Sequence, residues 1–317
     1  MRNTFGVMRA ATRTEDSQPK GPNKMTVISA KAIINGSLTL ADHQAISDTI
    51  ARLGRAMMTE SAHGYRSGTN ETIMAAAERD AEDYTKNSRS NSAIAIMGVI
   101  LAANRNYNKQ VAKNVERMRQ CYPELTIKQL AKMIKKAGTA KKFKEVWGHN
   151  DKRKFQTLKE VLAVFIPQVK DANKPDDDFQ VMSKWAANAQ FSEMDHDPVG
   201  ALQNIGIATF QHLRMNFGAN TVKPDRRVKD VLHREFNLHL SDKKSILVME
   251  RMAEVKKIPP LLIDQIFVKY GSGHYKAHSG AVRSAVEAIV RNLKIMRISD
   301  AQIAKATDWS LSDIENV

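Results

Sequence analysis

One cysteine, Cys121, stands in 317 residues. No disulfide can close within the chain, and neither a zinc knuckle nor a cysteine-ligated iron–sulfur cluster can be built. A reducing compartment fits, cytoplasmic or nuclear, with no secretion. No run of about 18 apolar residues occurs, so no membrane-spanning helix is expected. The first stretch, "MRNTFGVMRAATRTEDSQPKGPNKM", lacks the apolar centre of a secretion signal, and Glu15 and Asp16 argue against an organelle transit peptide. Residues 1–30 are expected to form a disordered basic tail, with Met25 as an alternative start. Strand-like alternation is scarce, and no internal repeat of fixed period is found.

What the chain has is positive charge and helical periodicity. Lys and Arg total 49 against 34 Asp and Glu, a formal charge of +15. Such an excess favours nucleic acid or an anionic membrane as partner, and the lysine runs at 135–144 and 152–154 fit a DNA backbone. "TLADHQAISDTIARLGRAMM" places Ile46, Ile50, Leu53 and Met57 on one helical face. "SAIAIMGVIL" is apolar throughout and reads as a buried helix. "TIKQLAKMIKKA" alternates an apolar face with a lysine face. The expected fold is all-α, with about a dozen helices. "ANKPDDDFQ" and "EMDHDP" read as loops whose carboxylates lack a coordination spacing, so no metal site is expected. Ser299 and Gln302 form a possible capping box in a small helix-turn-helix-like tail over 297–317.

The most informative stretch is "ALQNIGIATFQHLRMNFGANTVKPDRRVKDVL". It reads as a helix end, a tight hairpin at Asn204–Ile207, and a second helix. Gly206 is expected to take a backbone geometry that other residues resist, and Asn204 tolerates the left-handed region. Unpaired N–H groups at the start of the second helix, around Ile207, Ala208 and Thr209, can grip a phosphate. An ordinary helical hairpin with a glycine turn reads the same way. Downstream, Asp225 stands among Lys223, Arg226 and Arg227. It has the position of a helix N-cap after a proline, and that role can coexist with a chemical one.

This stretch resembles the helix-hairpin-helix DNA glycosylases, the superfamily that includes endonuclease III and the adenine and alkylation-repair glycosylases. Their hairpin, Leu-Pro-Gly-Ile-Gly-x-x-Thr-Ala, is followed about twenty residues later by Val-Asp at a helix start. Here Leu202, Ile205, Gly206 and Thr209 match, and Asp225 follows Gly206 by 19 residues. Gln203 and Asn204 replace the proline and the first glycine. "MGVILAANRNYNKQV" looks like the family's early buried helix, with Asn104 at the place of a lesion-probing glutamine. "WGHNDKRKFQTLKEVL" resembles its Gly-x-x-x-x-Lys-Ala segment. The likeness covers roughly residues 92–273, and its specific part is the hairpin-to-aspartate unit.

The resemblance implies a two-lobed helical glycosylase fold with DNA in the cleft. A helical lobe over 93–224 would carry Asn104 and the hairpin. A C-terminal lobe over 225–296 would pack with N-terminal helices over 31–92. Double-stranded DNA with a modified base is the implied partner, and a monomer is expected. Asp225 is the implied catalytic carboxylate, stabilising positive charge on the sugar. Asn104, Asn204, Ile205, Gly206, Ile207, Ala208 and Thr209, with Lys223, Arg226 and Arg227, are the implied DNA contacts. Bifunctional members carry a Schiff-base lysine where Ala208 stands, which implies a monofunctional enzyme leaving an abasic site, in repair or in defence against phage DNA with hypermodified bases. No cofactor is implied, because the cluster-binding cysteines are missing. Tyr107, Trp147, His149 and Trp185 are candidates to line a base pocket, with core packing as the competing role. The alternative function is a non-catalytic DNA-binding protein on the same scaffold.

Overall fold

Most helices of this chain begin on a residue whose side chain accepts one of the first free N–H groups, which is how a helix start is written into a sequence. Ser29 opens α1 (Ala30–Asn35), Thr39 opens α2 (Leu40–Arg55) and Thr72 opens α3 (Ile73–Glu82). After the short α4 (Lys86–Ser90), Asn91 caps α5 (Ser92–Ala102). α6 (Ala112–Cys121) follows, then α7 (Ile127–Ala137) capped by Thr126, α8 (Ala140–Trp147) by Thr139, and α9 (Lys152–Phe165) by Asp151. α10 (Pro175–Asn188) precedes a 3-10 turn at Phe191–His196 and α11 (Ile207–Asn216). Asp225 caps α12 (Arg226–Phe236), and α13 (Asp242–Lys256) and α14 (Pro260–Gly271) complete the body. The computed structural model describes residues 28–58, 71–105, 111–273, 275–276, 289–307 and 314. The fold is mainly α-helical. Two-residue strands β1 (Met57–Met58) and β2 (Tyr275–Lys276) pair antiparallel, a ribbon too short to leave an alternating pattern in the sequence.

Two apolar cores organise these helices. The first runs from Ala93 to Ala219 and centres on α5, whose residues Ser92 to Leu101 are all buried. Asn91 anchors that helix at both ends of its amide: Oδ1 accepts the Ile94 N–H at 3.0 Å, and Nδ2 donates to the Tyr122 and Pro123 carbonyls, each at 3.0 Å. α4, α6, α7, α9, α10 and α11 pack around it. The second core joins Ile28 through Ala77 to Val222 through Tyr270, so α1, α2 and α3 pack with α12, α13 and α14. Within it the Lys269 ammonium, fully buried on α14, pairs with Asp80 of α3. Ile207 packs against both cores, and the chain leaves the first at Ala219 and enters the second at Val222.

Some expectations shift. Ile28 is already buried and Ser29 is a cap, so ordered chain starts inside the span read as tail; residues 1–27, Met25 among them, lie outside the described residues. "ANKPDDDFQ" is not a loop. Pro175 takes the first helical position, where its missing N–H costs nothing, and the aspartates fill the first turn at the positive end of α10. The "EMDHDP" segment holds a 3-10 turn rather than open loop. Ser299 Oγ donates to Gln302 Oε1 at 2.8 Å at the start of the helix Asp300–Thr307, and a small cluster of Val290, Ile303 and Ile314 straddles residue 297. Among the described residues no helix is long and apolar enough to cross a membrane.

Asp178 shows how α7 and α10 are tied. Its Oδ2 accepts the Ile127 N–H at 2.6 Å, while Oδ1 is buried without a partner. Burial pushes this carboxyl up to about 6. A raised acid binds its proton more tightly folded than unfolded, so its contribution to stability is full below about pH 4 and is lost as pH rises through about 6. Asp178→Asn keeps the acceptor and should flatten that part of the stability–pH curve, measured by urea unfolding from pH 4 to 8. Asp178→Ala should cost about 1–3 kcal/mol by leaving the Ile127 N–H unpaired.

Candidate active site

The hairpin before α11 is built from Asp197, not from a left-handed residue. Asp197 Oδ1 accepts the Val199 and Gly200 N–H groups at 2.8 and 3.0 Å, and Oδ2 accepts Trp185 Nε1 at 3.1 Å. Turns carry the chain to Ile205, which is buried in the first core. Gly206 is the N-cap of α11 at φ −82°, ψ 165°, an extended conformation open to any residue, and a Cβ there would meet nothing within 4 Å. The expected special geometry of Gly206 is therefore corrected, and Asn204 is not left-handed either. The glycine this turn requires is Gly200, where a Cβ would lie 2.2 Å from the Met194 carbonyl oxygen. The 3-10 turn and the bends after it also replace the regular first helix that the sequence pattern implied.

α11 nonetheless opens as a bare helix start. No side chain caps it, and the Ile207, Ala208 and Thr209 N–H groups precede the first intrahelical bond, Phe210 N to the Gly206 carbonyl at 2.9 Å. Gln203, Asn204 and Gly206 are exposed.

The chain from Asn220 to Asp225 has no regular structure, yet five of its residues are bonded to helices. Asn220 Oδ1 accepts the Leu261 N–H of α14 at 3.0 Å. Thr221 Oγ1 donates to Glu250 of α13 at 2.7 Å and accepts from Gln211 Nε2 of α11 at 2.8 Å. Gln211 also donates to the Val222 carbonyl at 3.0 Å and accepts from Arg214 Nη1 at 2.6 Å. The Lys223 N–H donates to Asp264 Oδ1 of α14 at 2.8 Å. Asp225 Oδ1 accepts the Val228 N–H of α12 at 3.1 Å.

Asp225 thus occupies the N-cap position that its sequence context allows. Its second oxygen lies 3.2 Å from Lys223 Nζ, and the side chain keeps 26% of its surface exposed. Lys223 contacts the carboxylate itself. Arg226 points to solvent and lies 3.6 Å from Asp230, and Arg227 is half-buried. Behind this pair, Asp264 is 1% exposed and receives Gln265 Nε2 at 3.1 Å. Burial pushes the Asp264 carboxyl up to about 7, against the pull of the Lys223 ammonium. Burial, assisted by Lys223, holds the His212 imidazole of α11 well below the ordinary histidine range.

Asn104 stands at the end of α5, exposed, in the left-handed region at φ 56°. Lys154 of α9 holds that helix end, donating to the carbonyls of Ile100, Leu101 and Ala103 at 2.9, 3.0 and 2.5 Å. Burial pushes its ammonium down to about 8. Beside it a cavity of about 290 Å³ is lined by Leu101, Arg105, Val111, Asn114, Gly148 and His149. Trp147 is fully buried against Phe143 and Phe155, and Trp185 lies edge-on between Phe165 and Phe210, so both are packing residues. Tyr107 lies outside the described residues.

Sequence reasoning missed Gly200, Gln211, His212 and Asp264. Asp264 did leave a signal, a carboxylate inside the largely apolar run PLLIDQIFV. No family model matches this chain, nor does any curated protein or solved structure.

The geometry separates the two glycines. Gly206→Ala should leave the unfolding free energy within about 1 kcal/mol of the parent, whereas Gly200→Ala should lower it by about 1–3 kcal/mol through crowding. Gln211→Leu should cost about 2–3 kcal/mol, because it strands Arg214 and Thr221 in a buried setting. Urea denaturation followed by circular dichroism measures all three.

Proposed function

We propose that this protein is a monofunctional DNA glycosylase of the helix-hairpin-helix superfamily. It would turn a damaged or modified base out of duplex DNA and hydrolyse its N-glycosidic bond, leaving an abasic site. The observation that supports this most is the partly exposed Asp225 carboxylate at the start of α12, held by a pinned segment that leads from the uncapped α11. The two cores on either side of that segment fit a two-lobed enzyme with DNA across the junction.

Each part has a task in this reading. The Ile207, Ala208 and Thr209 N–H groups face a backbone phosphate, and the missing Cβ of Gly206 lets it approach. Asn204 and Ile205 shape that turn. Arg226 and Arg227 neutralise neighbouring phosphates. On α7 and α8, exposed Lys132, Lys135, Lys136, Lys141, Lys142 and Lys144, without ion-pair partners among the described residues, extend the basic surface. Asn104 fills the gap that the turned-out base leaves. As the bond between C1′ and the base nitrogen breaks, its electron pair leaves with the base and the sugar becomes cationic. Asp225 stabilises that cation. At 4 Å and an effective dielectric near 20 the pair is worth about 4 kcal/mol, roughly a thousandfold in rate. Water then bonds to C1′ and gives its proton to the carboxylate. Ala208 offers no amine for a Schiff base, which fits hydrolysis without strand cleavage. The rival reading, a DNA-binding protein without chemistry, draws on the same geometry, since Asp225 already serves as a helix cap and as the partner of Lys223.

The test is a panel of duplexes carrying alkylated purines, oxidised bases, mismatches or hypermodified cytosine, with mass spectrometry of the liberated bases. The wild type should release a base from at least one duplex, with strand breaks appearing only after alkali. Asp225→Asn should bind that duplex equally well and release base about a thousandfold more slowly. No release from any duplex, with binding intact, would favour the rival.

A further inference from the structure

Asp225 is not an isolated carboxylate. Directly beneath its segment lies Asp264, sealed in the second core, with Oδ1 on the Lys223 N–H and Oδ2 on Gln265 Nε2. The Lys223 side chain reaches Asp225 Oδ2 at 3.2 Å. One residue therefore links the two carboxylates, its backbone to the first and its ammonium to the second. Pro224, buried between them, fixes the backbone that joins the two contacts. An acid buried in an apolar core at a cost in desolvation needs a reason beyond its two hydrogen bonds, which an asparagine beside a turned Gln265 amide would supply equally well.

We infer that Asp264 is a positioning residue for Asp225: it sets the Lys223–Asp225 turn through the Lys223 N–H, and its charge acts on the same ammonium and carboxylate. The inference rests on the reading of Asp225 as the catalytic group. When Asp264 is protonated, the Lys223 ammonium is left to Asp225 alone. When it ionises, Lys223 answers to two carboxylates, and a second negative charge stands behind the sugar. The cation that forms there is then better stabilised, so base release rises as Asp264 loses its proton. Its titration near pH 7 puts that change in the working range. Three acidic groups on elements packed against α14 are engaged elsewhere: Asp80 of α3 with Lys269, Glu235 of α12 with Arg52 and Arg234, and Glu250 of α13 with Thr221. Among the described residues, His212, held neutral, and Asp225 itself also act on Lys223.

The experiment compares wild type, Asp264→Asn and Asp264→Ala in single-turnover base release from pH 5.5 to 8.5, on whichever duplex of the panel is cleaved. The wild type should gain about fivefold in rate across a step near pH 7. Asp264→Asn preserves the acceptor for the Lys223 N–H, while Gln265 can turn its amide to match. It should bind DNA as the parent does and lose the step. Asp264→Ala should be slower at every pH, with the asparagine variant restoring the low-pH rate. An unchanged step in Asp264→Asn overturns the inference. Carbon-13 titration of the aspartate carboxyls gives a second readout that needs no substrate. Asp225 should report an inflection near pH 7 in the wild type that disappears in Asp264→Asn. Its presence without base release would sink the glycosylase reading but keep the coupling, and its absence would sink the coupling whatever the activity.

Discussion

The segment Asn220–Asp225 is the constraint on which this structure turns. Ala219 is buried in one core and Val222 in the other, so the chain must cross between two helical groups in a few residues. An irregular segment leaves its backbone groups unpaired unless something else bonds them. Here α11, α13, α14 and α12 each contribute, through Gln211, Glu250, Asp264 with the Leu261 N–H, and the Val228 N–H. A loop tied in this way behaves as a rigid strut, which is what a group needs if it is to act at a fixed distance from a bound partner.

Burial separates two kinds of charged group in this fold. Exposed lysines dominate the outer faces of α7 and α8, whereas the carboxylates Asp178, Glu250 and Asp264 sit inside, each pushed upward by burial. A basic surface attracts a polyanion. Asp225 lies between these extremes, a partly exposed carboxylate with one oxygen on a helix start and the other on an ammonium.

The hairpin teaches a related lesson. Gly206 looked like the residue the turn could not do without. The structure gives that role to Gly200, whose neighbour Met194 leaves no room for a side chain, while Gly206 has ordinary torsion angles and empty space beside it. Gly206 leaves open space beside the uncapped start of α11, and the proposed phosphate contact uses that space.

By itself the sequence determined most of the helices and several of their capped starts, though not the start of α10 or the turns before α11. Periodicity and capping are local properties, decided by residues three and four positions apart, as Thr126 with Gln129 and Ser299 with Gln302 show. It also marked Asp225 as a helix start, and the uniform apolar run of α5 as a buried centre. Tertiary structure alone decided what stands behind those elements. That Asp264 meets Lys223 41 residues away, that Gln211 locks Thr221, and that Asp197 rather than a glycine torsion makes the hairpin are facts of packing. Pairings between distant residues leave no period in the chain. Their energies depend on burial, and burial exists only once the helices have come together.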